Sequence, residues 1–224
     1  MGSHAIPLKT TAPYPVHLRV APRLDDRNRL TVGFRWILAI PHLLLVGAPI
    51  AFALTWSRTP EGATDYSWGA GAGVLGAVAA VCALIAWFAI VFTGRAPEGL
   101  ATLSAFYLRW HVRATAYVTL LRDEYPPFGD GDYPVAVELP TLTTPRDRLS
   151  VGLRPILALP HILIVWLLGI AWGATTLVAW FAILFTGRYP TSLYEFGVGA
   201  LRWTTRVEAY LLLLTDEYPP FTLD

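Results

Sequence analysis

Two histidines of this sequence directly follow a proline within strongly apolar stretches, at Pro41-His42 and Pro160-His161. A histidine in such a place can bind an ion or relay a proton, because its pKa lies near neutral pH. A proline inside a helix also frees a backbone carbonyl, which a nearby histidine can satisfy. His42 and His161 are therefore candidates for a polar path across a membrane, and also for a structural hydrogen bond, which is the simpler interpretation.

Two pairs of arginines form a second candidate group. A spacing of four residues places both members of a pair on one face of a helix. Such a cluster can bind anionic phospholipid, or it can form salt bridges with the two Asp-Glu pairs, Asp123-Glu124 and Asp216-Glu217. The arginines are Arg109, Arg113, Arg202 and Arg206. We prefer the salt bridges and keep the lipid site as the alternative.

A third kind of arginine follows two Thr-Gly pairs. Gly94 and Gly187 are typical of the residue that caps the C-terminus of a helix. Arg95 and Arg188, which come next, are then placed to contact lipid headgroups or the negative end of the helix dipole. We predict helix-end headgroup contacts for both arginines.

Other kinds of chemistry find no support in the sequence. The single cysteine excludes a disulfide framework, and five histidines without ligand spacing do not predict a metal centre. No phosphate-binding loop, nucleophile elbow or His-Glu-x-x-His sequence occurs. A formal net charge of +1 gives no basic surface for nucleic acid. We therefore expect no enzyme activity, cofactor, metal or nucleic-acid partner.

Long uncharged stretches predict the elements that position these residues. The chain is 54% hydrophobic and 15% charged, whereas a soluble domain carries about 25% charged residues. Uncharged runs of 22, 29 and 33 residues follow Arg35, Asp65 and Arg154. Each run exceeds the roughly 20 residues that cross a bilayer. We predict that these segments lie in a membrane.

The chain also contains an internal repeat. Residues 29–42 return as 148–161 with 10 of 14 positions identical, and residues 85–128 return as 178–221 with 25 of 44 positions identical. The shift falls from 119 to 93 between the two blocks. The first copy therefore holds 26 additional residues between its matching blocks.

Each copy is predicted to contain a short strand, a helical hairpin and a third helix. Insertions are tolerated best in loops, so the corresponding point of the second copy, near residues 169–173, is predicted to be a turn. Repeat one covers 1–128 and repeat two covers 129–224. The predicted helices are 33–56, 69–93 and 100–121 in repeat one, and 153–168, 172–187 and 193–214 in repeat two. The second hairpin is short, so it either spans the membrane or is re-entrant.

The predicted strands are 14–20 and 133–139, in which every second residue is apolar. If the two strands pair across a twofold axis, Arg19 and Glu138 occupy equivalent places with opposite charge. The third helices carry two arginines each, and an arginine at the bilayer centre costs about 2.5 to 3.5 kcal/mol. We therefore predict that these helices are amphipathic and lie in the membrane interface.

The positions of the basic residues predict sidedness. With two spans in each repeat, both repeats enter the bilayer from the same side, and every basic residue except Arg58 lies on that side. The positive-inside rule assigns that side to the cytoplasm. The predicted fold is an all-α, multi-pass integral membrane protein of two parallel tandem repeats, with a short cytoplasmic strand in each repeat and both termini in the cytoplasm.

The repeated sequences together resemble an integral membrane family of actinobacteria that is catalogued only as a domain of unknown function. The resemblance rests on Arg-x5-Pro-His, Trp-Phe-Ala-Ile-x-Phe-Thr-Gly-Arg, Leu-Arg-Trp and Asp-Glu-Tyr-Pro-Pro-Phe, which occur in two copies between Tyr14 and Phe221. It implies a location in the bacterial cytoplasmic (inner) membrane and transfers no activity. Copy one differs from this pattern by its insertion and by His111, where copy two has Thr204.

Three functions agree with these observations. The preferred hypothesis is a non-catalytic scaffold, or an accessory subunit, within a membrane complex or a homo-oligomer. The second is a small channel or transporter that uses His42, His161 and the arginine rows as its polar path. The third is a protein that binds anionic phospholipid through its interfacial helices. All three make the lipid bilayer a partner.

Overall fold

A computed structural model describes residues 14–48, 54–58, 64–68, 73–141 and 145–224 of the chain. Helices predominate, and two small antiparallel sheets accompany them. The elements in chain order are β1 (His17–Val20), α1 (Arg29–Gly33), α2 (Arg35–Val46), β2 (Leu54–Arg58), β3 (Thr64–Trp68), α3 (Gly73–Thr93), α4 (Glu98–Val118), β4 (Val135–Glu138), α5 (Arg148–Thr186) and α6 (Thr191–Leu211).

The second repeat begins with one continuous helix in place of the predicted hairpin. Helix α5 is 39 residues long, which is about 58 Å at 1.5 Å per residue. One buried stripe runs along its whole length. The turn at 169–173 and the separate helices 153–168 and 172–187 are therefore wrong. A glycine inside a helix costs only about 1 kcal/mol, so Gly169 and Gly173 do not break a helix that packs throughout.

The first repeat contains the same long helix, interrupted by the insertion. When residues 47–72 are left out, α1, α2 and α3 align with α5 without a gap. The start of α3 lies against the end of α2. The two backbones are so close that a Cβ atom on Gly73 would lie only 2.7 Å from the carbonyl carbon of Leu45. Val46 and Ala79 share one buried cluster, as residues two helical turns apart do. We call α1, α2 and α3 together rod 1, and α5 rod 2.

The insertion itself contains strands. Strands β2 and β3 form an antiparallel hairpin in which Leu54 pairs with Trp68 and Arg58 pairs with Thr64. After α2 ends at Val46, the predicted helix 33–56 is therefore wrong at residues 47–48 and 54–56. The predicted helix 69–93 is observed from Gly73. Residues 49–53 and 69–72 of those two predictions lie outside the described residues.

The third helices of the two repeats agree closely with the sequence. Helices α4 and α6 begin and end two or three residues before the predicted ranges 100–121 and 193–214. Both begin after a proline, Pro97 or Pro190, whose extended backbone serves as the N-cap. Each helix turns back along its own rod, α4 against α2 and α3, and α6 against α5.

The predicted strand pairing is confirmed. Strand β1 pairs antiparallel with β4 of the other repeat, with Arg19 opposite Ala136. The Arg19 and Glu138 side chains form an exposed ion pair with an N–O distance of 2.7 Å. The inward residues of the sheet join a core with α4 and α6, so α4 and α6 lie between the sheet and the rods.

Matched contacts relate the two repeats by a twofold axis. Trp87 at the end of rod 1 donates to the carbonyl of Val151 at the start of rod 2, with an N–O distance of 2.8 Å. Trp180 at the end of rod 2 donates to the carbonyl of Val32 at the start of rod 1, at 2.9 Å. The two rods therefore run in opposite directions. The axis passes between β1 and β4 and through the middle of the rod pair.

Candidate functional site

Asp123 is the centre of a buried ion cluster just after α4. The Arg27 and Arg35 guanidinium groups each lie 2.7 Å from the Asp123 carboxylate, and both arginine side chains are fully buried. Burial alone opposes ionisation of Asp123, but hydrogen bonds from Arg27 and the charges of Arg27 and Arg35 outweigh it and lower its pKa. Asp123 is therefore held as a carboxylate.

Arg35 also closes the C-terminus of α4. Its Nη1 donates to the carbonyl of Tyr117 in the last turn at 3.3 Å and to that of Arg122, just after the helix, at 2.6 Å. The Tyr117 carbonyl also accepts from the Leu120 N–H at 3.1 Å. Its guanidinium carbon lies 4.1 Å from the centre of the Tyr117 ring, close enough for a cation–π contact. One arginine at the start of α2 thus fixes the end of α4 and the carboxylate that follows it.

The second repeat has an equivalent cluster around Asp216. Arg154 donates to Asp216 at 2.8 Å and to the carbonyls of Tyr210 and Thr215 at 3.0 and 2.9 Å. Arg146 also contacts Asp216, whose side chain is 40% exposed, compared with 5% for Asp123. Burial raises the pKa of Asp216, and the two arginines lower it by more.

The arginine rows predicted from the sequence do not hold these aspartates. Arg113 and Arg202 instead donate to backbone carbonyls of their own repeats, Gly129 at 2.8 Å and Leu223 at 2.8 Å. Arg109 lines a surface groove with Glu98 and Thr102. Arg206 is 91% buried beside Tyr14. The four predicted arginines therefore do not converge within the described part of the chain, because the two arginines of each row have different neighbours.

The helix-end arginines lie on the surface. Arg188 follows α5 and forms an ion pair with Asp25 at 3.0 Å, with both side chains more than 60% exposed. Arg95 follows α3 and is exposed. Because the rods are antiparallel, these two arginines lie at opposite ends of the rod pair. The predicted contacts with headgroups stay a prediction.

The two Pro-His histidines are enclosed by aromatic rings. His42 is fully buried, and its Nδ1 accepts a hydrogen bond from Trp110 Nε1 at 3.0 Å. The Phe128 ring stacks on the imidazole at a centroid distance of 4.6 Å, and the Tyr125 ring lies 4.9 Å away. An imidazole that accepts at Nδ1 carries its proton on Nε2. The aromatic residues of the Asp-Glu-Tyr-Pro-Pro-Phe sequence thus serve as a cover for His42.

His161 repeats this arrangement in the second repeat. Its Nδ1 accepts from Trp203 Nε1 at 3.2 Å, and the Phe221 and Tyr218 rings lie 4.1 and 4.8 Å from the imidazole. His161 is fully buried as well. The two histidines therefore hold the C-terminal segment of each repeat against its rod, and neither side chain is exposed to solvent.

A polar contact that sequence reasoning missed lies near the twofold axis. His111 of α4 and Glu208 of α6 approach to 3.4 Å, and His111 Nδ1 lies 2.8 Å from the carbonyl of Val46. Burial lowers the pKa of His111, but the Glu208 carboxylate and the Val46 carbonyl raise it by more. The repeat held a signal for this pair, since Thr204 and Thr115 occupy the equivalent positions.

A small cavity adjoins this pair. Its volume is about 10 Å³, and its lining includes His111, Thr115, Trp172 and Glu208. That volume is close to the minimum for a single water molecule, about 10 to 15 Å³. Trp172 Nε1 makes no hydrogen bond to another described residue. A few polar groups within the apolar core therefore surround a space for one small hydrogen-bonding molecule.

Two apolar cavities open between the rods, at positions related by the twofold axis. One has a volume of about 420 Å³ and the other about 440 Å³. Ala80 and Leu84 line the first, and their equivalents Gly173 and Leu177 line the second. We call these the rod cavities. Their lining is suited to hydrocarbon chains and offers few polar partners.

The outer face of both rods is apolar from end to end. Rod 2 exposes large apolar side chains from Leu149, 71% exposed, to Phe185, 77% exposed. Rod 1 does the same from Leu30 to Phe92, each 72% exposed. Helices Gly73–Thr93 and Arg148–Thr186 are long and apolar enough to cross a membrane. Within the described residues, no cluster of His, Cys, Asp and Glu could hold a metal ion.

A comparison with protein families gives one match. The model of the family described as Domain of unknown function (DUF4389) matches residues 69–129 and 148–222, together more than half of the chain. The matched segments include α3 with α4 and α5 with α6, which are the equivalent parts of the two repeats. No curated protein and no solved structure matches the chain.

Proposed function

Since this chain belongs to the DUF4389 family, a domain of unknown function, we propose its role from the geometry: a non-catalytic scaffold of the bacterial inner membrane. The rods are embedded in lipid. Helices α4 and α6 and the β1–β4 sheet form a rigid layer at the membrane surface, which serves a homo-oligomer or a larger complex.

The observation that carries this proposal is the apolar outer face of the rods. A soluble monomer rarely exposes a contiguous apolar patch above a few hundred Å², whereas here two helical surfaces are apolar over their whole length. At about 25 cal/mol per Å², removing such a face from water is strongly favourable. Contact with the acyl chains of a bilayer would remove this face from water.

The contacts that the repeated sequences make within the protein favour a scaffold over a channel. His42 and His161 bind the C-terminal segments of their repeats, and Arg35 and Arg154 bind the ends of α4 and α6. These repeated histidines and arginines therefore stabilise junctions between elements. A transport path would instead need such polar groups to face a common water-filled passage.

The proposal is tested by association with liposomes. We expect the wild-type protein to float with liposomes and to resist extraction at high salt and alkaline pH. Phe88→Glu combined with Phe181→Glu places a charge on the outer face of each rod, at equivalent positions that are each 48% exposed. This variant should lose most of its flotation, because a carboxylate in hydrocarbon is costly.

A matched control places two carboxylates on the exposed face of the sheet. His17→Glu with Ala136→Glu adds the same charge at exposed positions of β1 and β4, and flotation should be unchanged. Circular dichroism of both variants reports whether the helices are retained. Wild-type protein that stays soluble without detergent and does not float would refute the membrane scaffold.

A further inference from the structure

We infer that both rods lie parallel to the membrane plane, immersed in the acyl chains of a single leaflet, and that neither rod crosses the bilayer. The inference rests on the proposed membrane function and gives its geometry. The twofold axis is then parallel to the membrane normal, and the sheet faces the aqueous side.

The length of the apolar face is the first argument. The exposed apolar residues of rod 2 extend from Leu149 to Phe185, about 54 Å along the helix at 1.5 Å per residue. The hydrocarbon core is about 30 Å thick. A crossing helix would need a tilt well beyond the observed range of about 0 to 40° to bury this length. A rod that lies in the plane buries all of it.

The position of the sheet is the second argument. The twofold axis passes through the sheet and through the middle of the rods, so a crossing rod would place the sheet at the depth of the bilayer centre. Arg19 and Glu138 on that sheet are 73% and 48% exposed. Each charge facing lipid at that depth costs about 2.5 to 3.5 kcal/mol. In the in-plane orientation both side chains are in water.

The insertion in rod 1 is the third argument. It interrupts the rod between α2 and α3, near the middle, and contains the β2–β3 hairpin with Arg58, Glu61 and Asp65 in its sequence. If rod 1 crossed the membrane, the inserted segment would leave the rod at the depth of the bilayer centre. Open sheet edges do not occur exposed to hydrocarbon, because their backbone groups would lack partners.

The charges at the rod ends are the fourth argument. Arg29 lies against Gly187 at one end of the rod pair, and Arg148 lies against Gly94 at the other. Arg188 and Arg95 follow these glycines, so both ends carry two arginines. Crossing helices have more basic residues on their cytoplasmic side. The same number of arginines at both ends agrees with rods whose two ends contact the headgroups of one leaflet.

The dimensions of the layers are compatible with this orientation. A helix with its side chains is about 10 to 12 Å in diameter, which fits within the roughly 15 Å of hydrocarbon in one leaflet. The polar layer of α4, α6 and the sheet then lies at the headgroups and in the water. The acyl chains of that leaflet therefore cover the apolar outer face of the rods.

Labelling of single cysteines tests the inference in inner-membrane vesicles of known orientation. In a Cys82→Ser background, cysteines are placed by Arg95→Cys, Arg188→Cys and Ala136→Cys, at the two rod ends and on the sheet. A membrane-impermeant thiol reagent should reach all three from the same side. Reaction of the two rod ends from opposite sides would overturn the inference and leave the membrane scaffold intact.

The depth of spin labels along α5 gives an independent measurement. Nitroxides attached through Leu153→Cys, Leu163→Cys and Phe181→Cys, all on the exposed face, should have similar immersion depths in liposomes. A much deeper label at 163 than at 153 and 181 would overturn the in-plane orientation. Labels shielded from lipid in a protein of dimeric mass would also overturn it, since a second copy would then cover the rods.

A final outcome separates the two proposals. If the protein does not bind liposomes at all, none of the labels will sense lipid, and both the scaffold and its orientation are refuted. If it binds and the depths differ, only the orientation is refuted.

Discussion

At the scale of single residues, the most informative feature is that one arginine serves three functions. Arg35 neutralises Asp123, satisfies carbonyls at the end of α4 and stacks on Tyr117. Without Arg35, Asp123 keeps Arg27 as a buried partner, but the Arg122 carbonyl loses this donor and Tyr117 loses its cation–π contact. The equivalent Asp216 is more exposed, so water can replace part of what Arg154 provides.

Arg35→Met should therefore lower the free energy of unfolding by about 1 to 3 kcal/mol, the cost of a buried polar group that loses its partner. The equivalent change Arg154→Met should cost less, because Asp216 is 40% exposed. Thermal unfolding in detergent, followed by circular dichroism, measures both. The control is Arg19→Met, which removes an exposed pair worth about 1 kcal/mol or less. Equal losses at positions 35 and 19 would contradict the importance of burial.

The His111–Glu208 contact predicts a dependence of stability on pH. Because folding raises the pKa of His111, the stabilisation is complete below the ordinary histidine pKa of about 6.5. It is lost as pH rises through the raised pKa. Unfolding midpoints measured on both sides of neutral pH should therefore fall toward alkaline pH.

The control for this pH effect follows from the repeat. His111→Thr with Glu208→Thr gives both helices the threonines that the equivalent positions already carry, Thr204 and Thr115. The double variant should lose the pH dependence above neutrality. A wild-type protein whose unfolding midpoint does not change across this range would show that His111 is not ionised in the folded state.

At the scale of elements, the two rods are versions of one long helix. Rod 2 is continuous, whereas rod 1 resumes at Gly73 after 26 inserted residues. Loops and insertions are tolerated when the chain leaves and re-enters at nearly the same point, since closing a loop costs little additional entropy as it lengthens.

Deletion of residues 47–72 should therefore join α2 to α3 as a continuous helix and leave the fold intact. We expect an unfolding midpoint within a few degrees of that of the wild type, because no rod-to-rod contact is removed. The reciprocal control inserts the same 26 residues between Val165 and Trp166 of α5, where they should also be tolerated. A deletion variant that fails to fold would contradict the end-to-end arrangement of α2 and α3.

Secondary structure was predictable where a local signal sufficed. The alternating residues of the two strands predict these strands to within three residues, and the third helices predicted at 100–121 and 193–214 are observed two or three residues earlier. The hairpin predicted at 169–173 is wrong because an insertion in one repeat does not require a turn in the other. The continuous buried stripe of α5 outweighs the low helix propensity of glycine.

The partners of the aspartates could not be predicted from spacing. The sequence shows only that Arg109 and Arg113 share a helix face, whereas Arg27 and Arg35 reach Asp123 across about 90 positions of the chain through tertiary packing. The His111–Glu208 pair was accessible in principle, since both residues depart from the repeat. A histidine and a glutamate that replace threonines at facing positions of two related helices indicate such a pair.

At the scale of the whole molecule, the rod cavities extend the membrane proposal to bound lipid. They are equivalent and apolar, with volumes of about 420 and 440 Å³, a size suited to segments of acyl chain. We expect native mass spectrometry in mild detergent to detect phospholipid retained on the wild-type protein.

Filling the cavities should release that lipid. Ala80→Leu and Gly173→Leu place a larger side chain at equivalent positions of the two cavities, and the double variant should retain several-fold less phospholipid. Ala136→Leu on the sheet is the control and should retain as much as the wild type. Unchanged retention in the cavity variant would show that the cavities are not where lipid binds.

The pairing of β1 with β4 has a consequence for synthesis of the chain. A ribosome must complete more than a hundred residues beyond β1 before its partner strand exists, and the start of rod 1 likewise waits for Trp180 near the end of rod 2. The two repeats are thus interlocked, and a polypeptide truncated after residue 128 should be a substrate for proteases. Gene fragments that encode one repeat would be expected to function only when the other is supplied alongside.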